Sequence, residues 1–143
     1  MRTIKFRGKC VADSKYAGQW AEGGYVEPCI ESTKDEGLIV VYFGDQCTAI
    51  YHVIPNTVGQ STCLLDMSGK EIYEGDILAC NTEPNKCVIE WNKRLAQFQA
   101  TWDNMPTTAA DICCIIRQGY KVIGNIHDNP NYLSSQMKQK YEQ

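Results

Sequence analysis

No apolar run in this chain of 143 residues approaches the roughly 20 that a membrane-spanning helix needs. The opening Met1-Arg2-Thr3-Ile4-Lys5 also lacks the apolar stretch of a secretory leader. The expected setting is therefore the cytoplasm, with no membrane partner. No CxxC pair occurs, and the two closest cysteines, Cys113 and Cys114, are vicinal, a spacing that suits neither metal chelation nor an unstrained disulfide. GxSxG, P-loop, HExxH and GxGxxG are all missing, and with them the usual hydrolase, nucleotidase and dehydrogenase signatures. Histidine is scarce: His52 and His127 lie far apart and share no ligand spacing. On these grounds no catalytic residue, cofactor or metal ligand is assigned.

Positive charge is also in short supply. A net charge of −3 argues against a protein that works by general attraction to phosphate. The balance is uneven, with Arg2, Lys5, Arg7, Lys9 and Lys15 in the first twenty residues and Glu22, Glu27, Glu31, Asp35 and Glu36 just after. The simplest reading is that these two groups pair with each other across a hairpin. Eight cysteines are many, but a disulfide framework needs a secreted context. Cys63, Cys87 and Cys113 sit in apolar, strand-like runs, so the thiols read as buried and reduced.

The chain is organised around residues 56 to 78, NTVGQSTCLLDMSGKEIYEGDIL. Two apolar runs, Cys63-Leu64-Leu65 and Ile72-Tyr73, flank a loop that Asp66 enters and Gly69 closes in a left-handed conformation. Glu74-Gly75-Asp76 interrupts the second run, and a glycine between carboxylates in a strand pattern reads as a sharp bend, the device of a barrel corner.

Upstream, Ile4 and Phe6 alternate with polar residues in a strand ended by Gly8, and Glu22-Gly23-Gly24 reads as a turn between two short strands. Residues 27 to 37 read as an exposed loop, Leu38 to Phe43 as a buried strand, and Ala49 to Ile54 as its return. Downstream, Val88 to Trp91 and Ala96 to Trp102 form a hairpin with one wet face. A short helix is expected after a loose capping box at Thr108 to Asp111, closed at Gly119. Tyr120 to Ile126 is a last strand. Pro130 opens a terminal helix whose stripe is Leu133, Met137 and Tyr141.

The central stretch, together with Ile4-Lys5-Phe6-Arg7-Gly8-Lys9 and Val122-Ile123-Gly124-Asn125-Ile126, resembles the signature of the YopX family of phage and prophage proteins. The residues that carry the resemblance, with roles unassigned, are Gly59, Thr62, Asp66, Gly69, Tyr73, Glu74, Gly75, Asp76, Gly124 and Asn125. Family members usually have Gly where this chain has Cys63, and often an aromatic in place of Ser61. The resemblance implies a small, mostly β phage-type protein and no chemistry.

The expectation is one domain, mostly β with a short C-terminal helix. It comprises N-terminal strands (1–55), a small, partly open SH3-like barrel (56–127) and the helix (128–143). Its expected function is that of a non-enzymatic accessory module binding a phage or host protein. A homo-oligomer is expected, with the helix or an edge strand at the contact. Two other functions compete. Asp66, Glu74 or Asp76 with a histidine would make a metal-assisted hydrolase. Trp20, Tyr25, Tyr73, Trp91 and Trp102 would give a nucleic-acid-binding barrel its stacking face. Against the hydrolase, turn-holding alone explains why carboxylates stand at those positions. Against the stacking face, a domain this poor in Phe needs those aromatics in its core.

Overall fold

The computed structural model describes residues 1–27 and 36–142. The chain divides into two compact units, Met1–Ser61 and Thr62–Gln143. Among the described residues, eleven strands form two antiparallel sheets, accompanied by two short helices.

The first unit holds β1 (Phe6–Lys9), β2 (Trp20–Val26), β3 (Gly37–Phe43), β4 (Gln46–Val53) and the start of β5 (Gly59–Leu65). Their order is β4-β3-β2-β1-β5. The Glu22-Gly23-Gly24 run does not turn; it lies inside the continuous strand β2. Glycine is needed there because the next strand comes too close for a side chain: a Cβ on Gly23 would stand 2.4 Å from the Val40 carbonyl oxygen. Cys10, Ala21, Ile39 and Val53 form the buried core, ringed by Phe6, Tyr16, Tyr25, Tyr51 and Val58. At the base of β4 the Val11 amide donates to the His52 carbonyl and the Ile54 amide to the Lys9 carbonyl. The loop expected over 27–37 lies mostly outside the described residues, as does Cys29.

In the second unit β6 (Glu71–Tyr73) neighbours β5, and β7 (Asp76–Ala79) belongs to the other sheet. That sheet runs β10-β9-β8-β7-β11, where β8 is Cys87–Asn92, β9 Gln97–Trp102, β10 Met105–Ala110 and β11 Lys121–Asn125. Neither sheet closes, so the partly open SH3-like barrel predicted from the sequence gives way to two open sheets. The bend at Glu74-Gly75 hands the chain from one sheet to the other instead of curling one sheet on itself.

Helix α1 (Ile112–Arg117) packs Ile112 and Ile115 on Ile72, Leu78, Cys87, Ile89, Ala100 and Tyr120. It starts later than the Thr108 box implies. Thr107 and Thr108 are drawn into edge strand β10, and Asp111 is the cap, accepting from the Cys114 amide. Gly119 ends the helix as expected, with Gly119 N–H bonding Ile116 and Tyr120 N–H bonding Ile115. Helix α2 (Ser135–Tyr141) is capped by Ser134 rather than opened by Pro130, which begins a separate 3-10 turn. Its apolar stripe is spent within the unit, Leu133 and Met137 being buried against Ile77 and Val88. The face of β9 expected to be wet is therefore covered in part: Thr101 is buried and donates to Glu90.

Candidate functional site

Asp66 is buried at the mouth of the central hairpin. Its Oδ1 accepts from the Ser68 amide, the Ser68 hydroxyl and the Lys70 amide. Its Oδ2 accepts from the Val122 amide at 3.0 Å, tying the hairpin to β11 across 56 residues of chain. Burial pushes the carboxyl up, but the bonds from Ser68, Val122 and Lys70 outweigh it and leave the pKa below 3.8. Gly69, with φ of 86°, closes this turn, its amide bonding the Asp66 carbonyl.

Asp76 is fully buried and accepts from the Tyr73 amide at 2.8 Å, across the bend that Gly75 makes possible with φ of 85°. Gly75 is itself stitched in, its amide to the Ile89 carbonyl and its carbonyl to the Ile126 amide. Thr62 donates to the Ile72 carbonyl, and the Tyr73 hydroxyl to Glu71. Asn125 accepts from the His127 and Asp128 amides and donates to the Asp128 carboxylate. Gly124 leaves room for the Asn129 side chain, whose oxygen would lie 2.3 Å from a Cβ placed there. Gly59 pairs with Arg7 between β5 and β1.

The residues that carry the family resemblance thus hold turns, a bend and strand junctions. Glu74 is half-buried beside Gly75 in the bend. Among the described residues, no three or more His, Cys, Asp or Glu side chains stand together as a metal-binding group. Of the carboxylates weighed for a hydrolase with a histidine, Asp66 and Asp76 are buried and accept from backbone amides.

The thiols divide. Cys10 and Cys87 are buried, and burial pushes Cys87 up to about 12. Cys63 and Cys113, expected inside, are exposed: Cys113 lies on the outer side of a short helix, and Cys63 has φ of 62°. That left-handed angle is one that glycine, implied here by the family resemblance, adopts without strain.

Of the aromatics proposed as a stacking face, Tyr73 is buried, Tyr25 meets Phe6, and Trp102 meets Tyr120. Trp20 lies under the Arg7 guanidinium, and Lys5 pairs with Glu22 at 3.3 Å, so the basic front end is matched by its neighbours. Trp91 remains 43% exposed. The largest aromatic exposure falls elsewhere. Phe43 is 83% and Tyr42 64% exposed, at the end of the run expected to be buried. Pairing explains this: β2 reaches β3 only at Leu38, Ile39 and Val40, while β4 follows β3 out to Phe43. Residues 41 to 48 are thus a two-stranded arm that overhangs its sheet. Where β2 parts from β3 cannot be read from the β3 sequence.

A recess of about 210 Å³ lies at the base of β4, lined by Val11, Asp13, Ser14, Glu36 and His52. In it the His52 Nδ1 stands 2.9 Å from a Glu36 carboxylate oxygen. Ser14 Oγ donates to the Val11 carbonyl and accepts from the Tyr16 amide, so it is engaged as a turn residue.

No match is found among the curated proteins. The fold is similar to the crystal structure of protein EF1440 from Enterococcus faecalis, with a TM-score of 0.52 and 23% identity over 94% of this chain and 100% of that one. The model of the family described as YopX protein matches residues 5–134. That span takes in the central hairpin, its bend and the Gly124-Asn125 junction, and the chain belongs to the YopX family.

Proposed function

We propose that this chain is a non-enzymatic, phage-type accessory protein of the cytoplasm that binds another protein through the β3–β4 arm. The observation that carries the reading is the overhang itself. A two-stranded ribbon is marginal in water, and this one holds Tyr42 and Phe43 largely out in solvent. An apolar surface set on such a projection reads as a contact site. The partner is a protein rather than nucleic acid, because no Lys or Arg occurs from residue 35 to residue 69. A surface without cations gains nothing from phosphate.

A photoreactive phenylalanine analogue in place of Phe43 tests this in cells expressing the full chain, with the same group in place of Arg94 as control. Arg94 is exposed on the β8–β9 turn. The expected result is a protein adduct on irradiation from position 43 and none from position 94. No adduct from 43, or equal adducts from both, overturns the reading.

A further inference from the structure

We infer that the partner of the arm is a second copy of this chain, joined to the first edge to edge along β4. The inference rests on the arm being a contact surface and adds what it contacts. Among the described residues no strand pairs with the outer edge of β4 from Gln46 to Tyr51. Only the base, at His52 to Ile54, is occupied, by Lys9 to Val11. Sheet edges are commonly protected by Lys, by Pro or by distortion. The other sheet shows this, with Pro106 and a register shift in β10 and Lys121 in β11. The sequence Gln46-Cys47-Thr48-Ala49-Ile50-Tyr51 has neither Lys nor Pro, and its one irregularity is the shift at Thr48.

Charge selects a second copy. In a two-fold contact each patch meets itself, so any charge on it faces its own sign. From Tyr42 to Tyr51 the single charge is Asp45, at the tip of the arm. Antiparallel pairing of two β4 edges sends the two tips to opposite ends, about 20 Å apart for six residues at 3.3 Å each. Self-pairing therefore brings no like charges together. Ile50 and the paired β4 backbone of both chains, flanked by Tyr42 and Phe43 on the strand behind the edge, bury at most on the order of 1,000 Å² in all, the low end of specific interfaces. The dimer is accordingly weak, with a dissociation constant in the range of tens to hundreds of micromolar.

Sedimentation equilibrium on the purified full chain, from about 5 to 500 µM, reads the association directly. A monomer–dimer equilibrium is expected, weakened at least tenfold (about 1.4 kcal/mol) by Phe43→Asp and by Ile50→Lys and unchanged by Trp91→Lys. Phe43→Asp changes an exposed residue beyond the β2–β3 pairing, so it keeps the test valid even where Ile50→Lys unfolds the unit. A monomer at every concentration, or a dimer that Phe43→Asp leaves intact, overturns self-pairing. The crosslink from position 43 separates the two claims. An adduct with a different protein and a monomeric chain ends self-pairing alone, whereas no adduct ends both.

Discussion

Single side chains set the conformation of the central hairpin. Cys63 holds a left-handed angle that costs an ordinary residue about 1–2 kcal/mol, part of which glycine returns as unfolded-state entropy. Cys63→Gly is therefore expected to stabilise the chain by up to about 1 kcal/mol, seen as a higher melting temperature. No gain, or a loss, would show that the thiol contributes more than the backbone strain costs. Asp66 works in the opposite direction. Asp66→Ala leaves the Ser68, Lys70 and Val122 amides without their acceptor and should cost about 2–3 kcal/mol in chemical denaturation. Its carboxyl titrates below the ordinary 3.8, so the ionised form contributes stability fully above that pH. The contribution is lost as pH falls through the lower folded value. The acid limb of the stability profile should flatten in Asp66→Ala, and an unchanged limb would contradict this account.

At the level of elements, α2 is held by Met137 packing, by Ser134 bonded to Asp103 at its start and by a polar clamp at Glu90. Met137 is fully buried with Ile77, Val88 and Leu133, and Met137→Ala should cost about 2–5 kcal/mol. Glu90 accepts from the Tyr141 hydroxyl, from Lys140 and from Thr101. Burial pushes the Glu90 carboxyl up, yet the bonds from Lys140, Thr101 and Tyr141 bring it below 4.5, while burial and the Glu90 contact push the Tyr141 hydroxyl up. With the folded value lowered, the clamp is at full strength above about pH 4.5 and loosens as pH falls below it. Amide hydrogen exchange in α2 should therefore quicken in acid ahead of exchange in β8 and β9. Glu90→Gln should give the same local quickening at neutral pH. Equal protection of helix and sheet in that variant would show that the clamp adds nothing to Met137 packing.

For the molecule as a whole, the thiols report how the chain is packed. Cys10 and Cys87 are buried, and burial raises both pKa values, whereas Cys47, Cys63, Cys113 and Cys114 are exposed. A thiol reagent at neutral pH should label the exposed set in the native protein and reach Cys10 and Cys87 only on unfolding. Mass mapping of the labelled sites checks this, and fast labelling of Cys87 would mean that the β7–β8 core opens readily. The melting temperature should not respond to reductant, and a drop of several degrees would reveal a disulfide that contributes to stability.

The sequence alone was enough for what depends on local chemistry. The Asp66 turn with Gly69, the Glu74-Gly75 bend and the Gly119 helix end are each specified by a few neighbouring residues. The family followed from the same short runs. What the sequence could not supply depended on distant neighbours. Gly23-Gly24 reads as a turn until β3 is seen passing within reach of a Cβ, and Pro130 reads as the helix start until Ser134 is found capping it. Thr108 to Asp111 read as a helix entrance until Ala109 and Ala110 are found paired with β9. The arm is the clearest case. Leu38 to Phe43 is one uniform apolar run, and its inner half is buried while its outer half is exposed because β2 pairs with β3 only as far as Val40, its remaining residues from Gly23 back to Trp20 pairing with β1 alone. A strand's own residues fix its tendency to extend, whereas burial is fixed by how far the adjacent strand reaches.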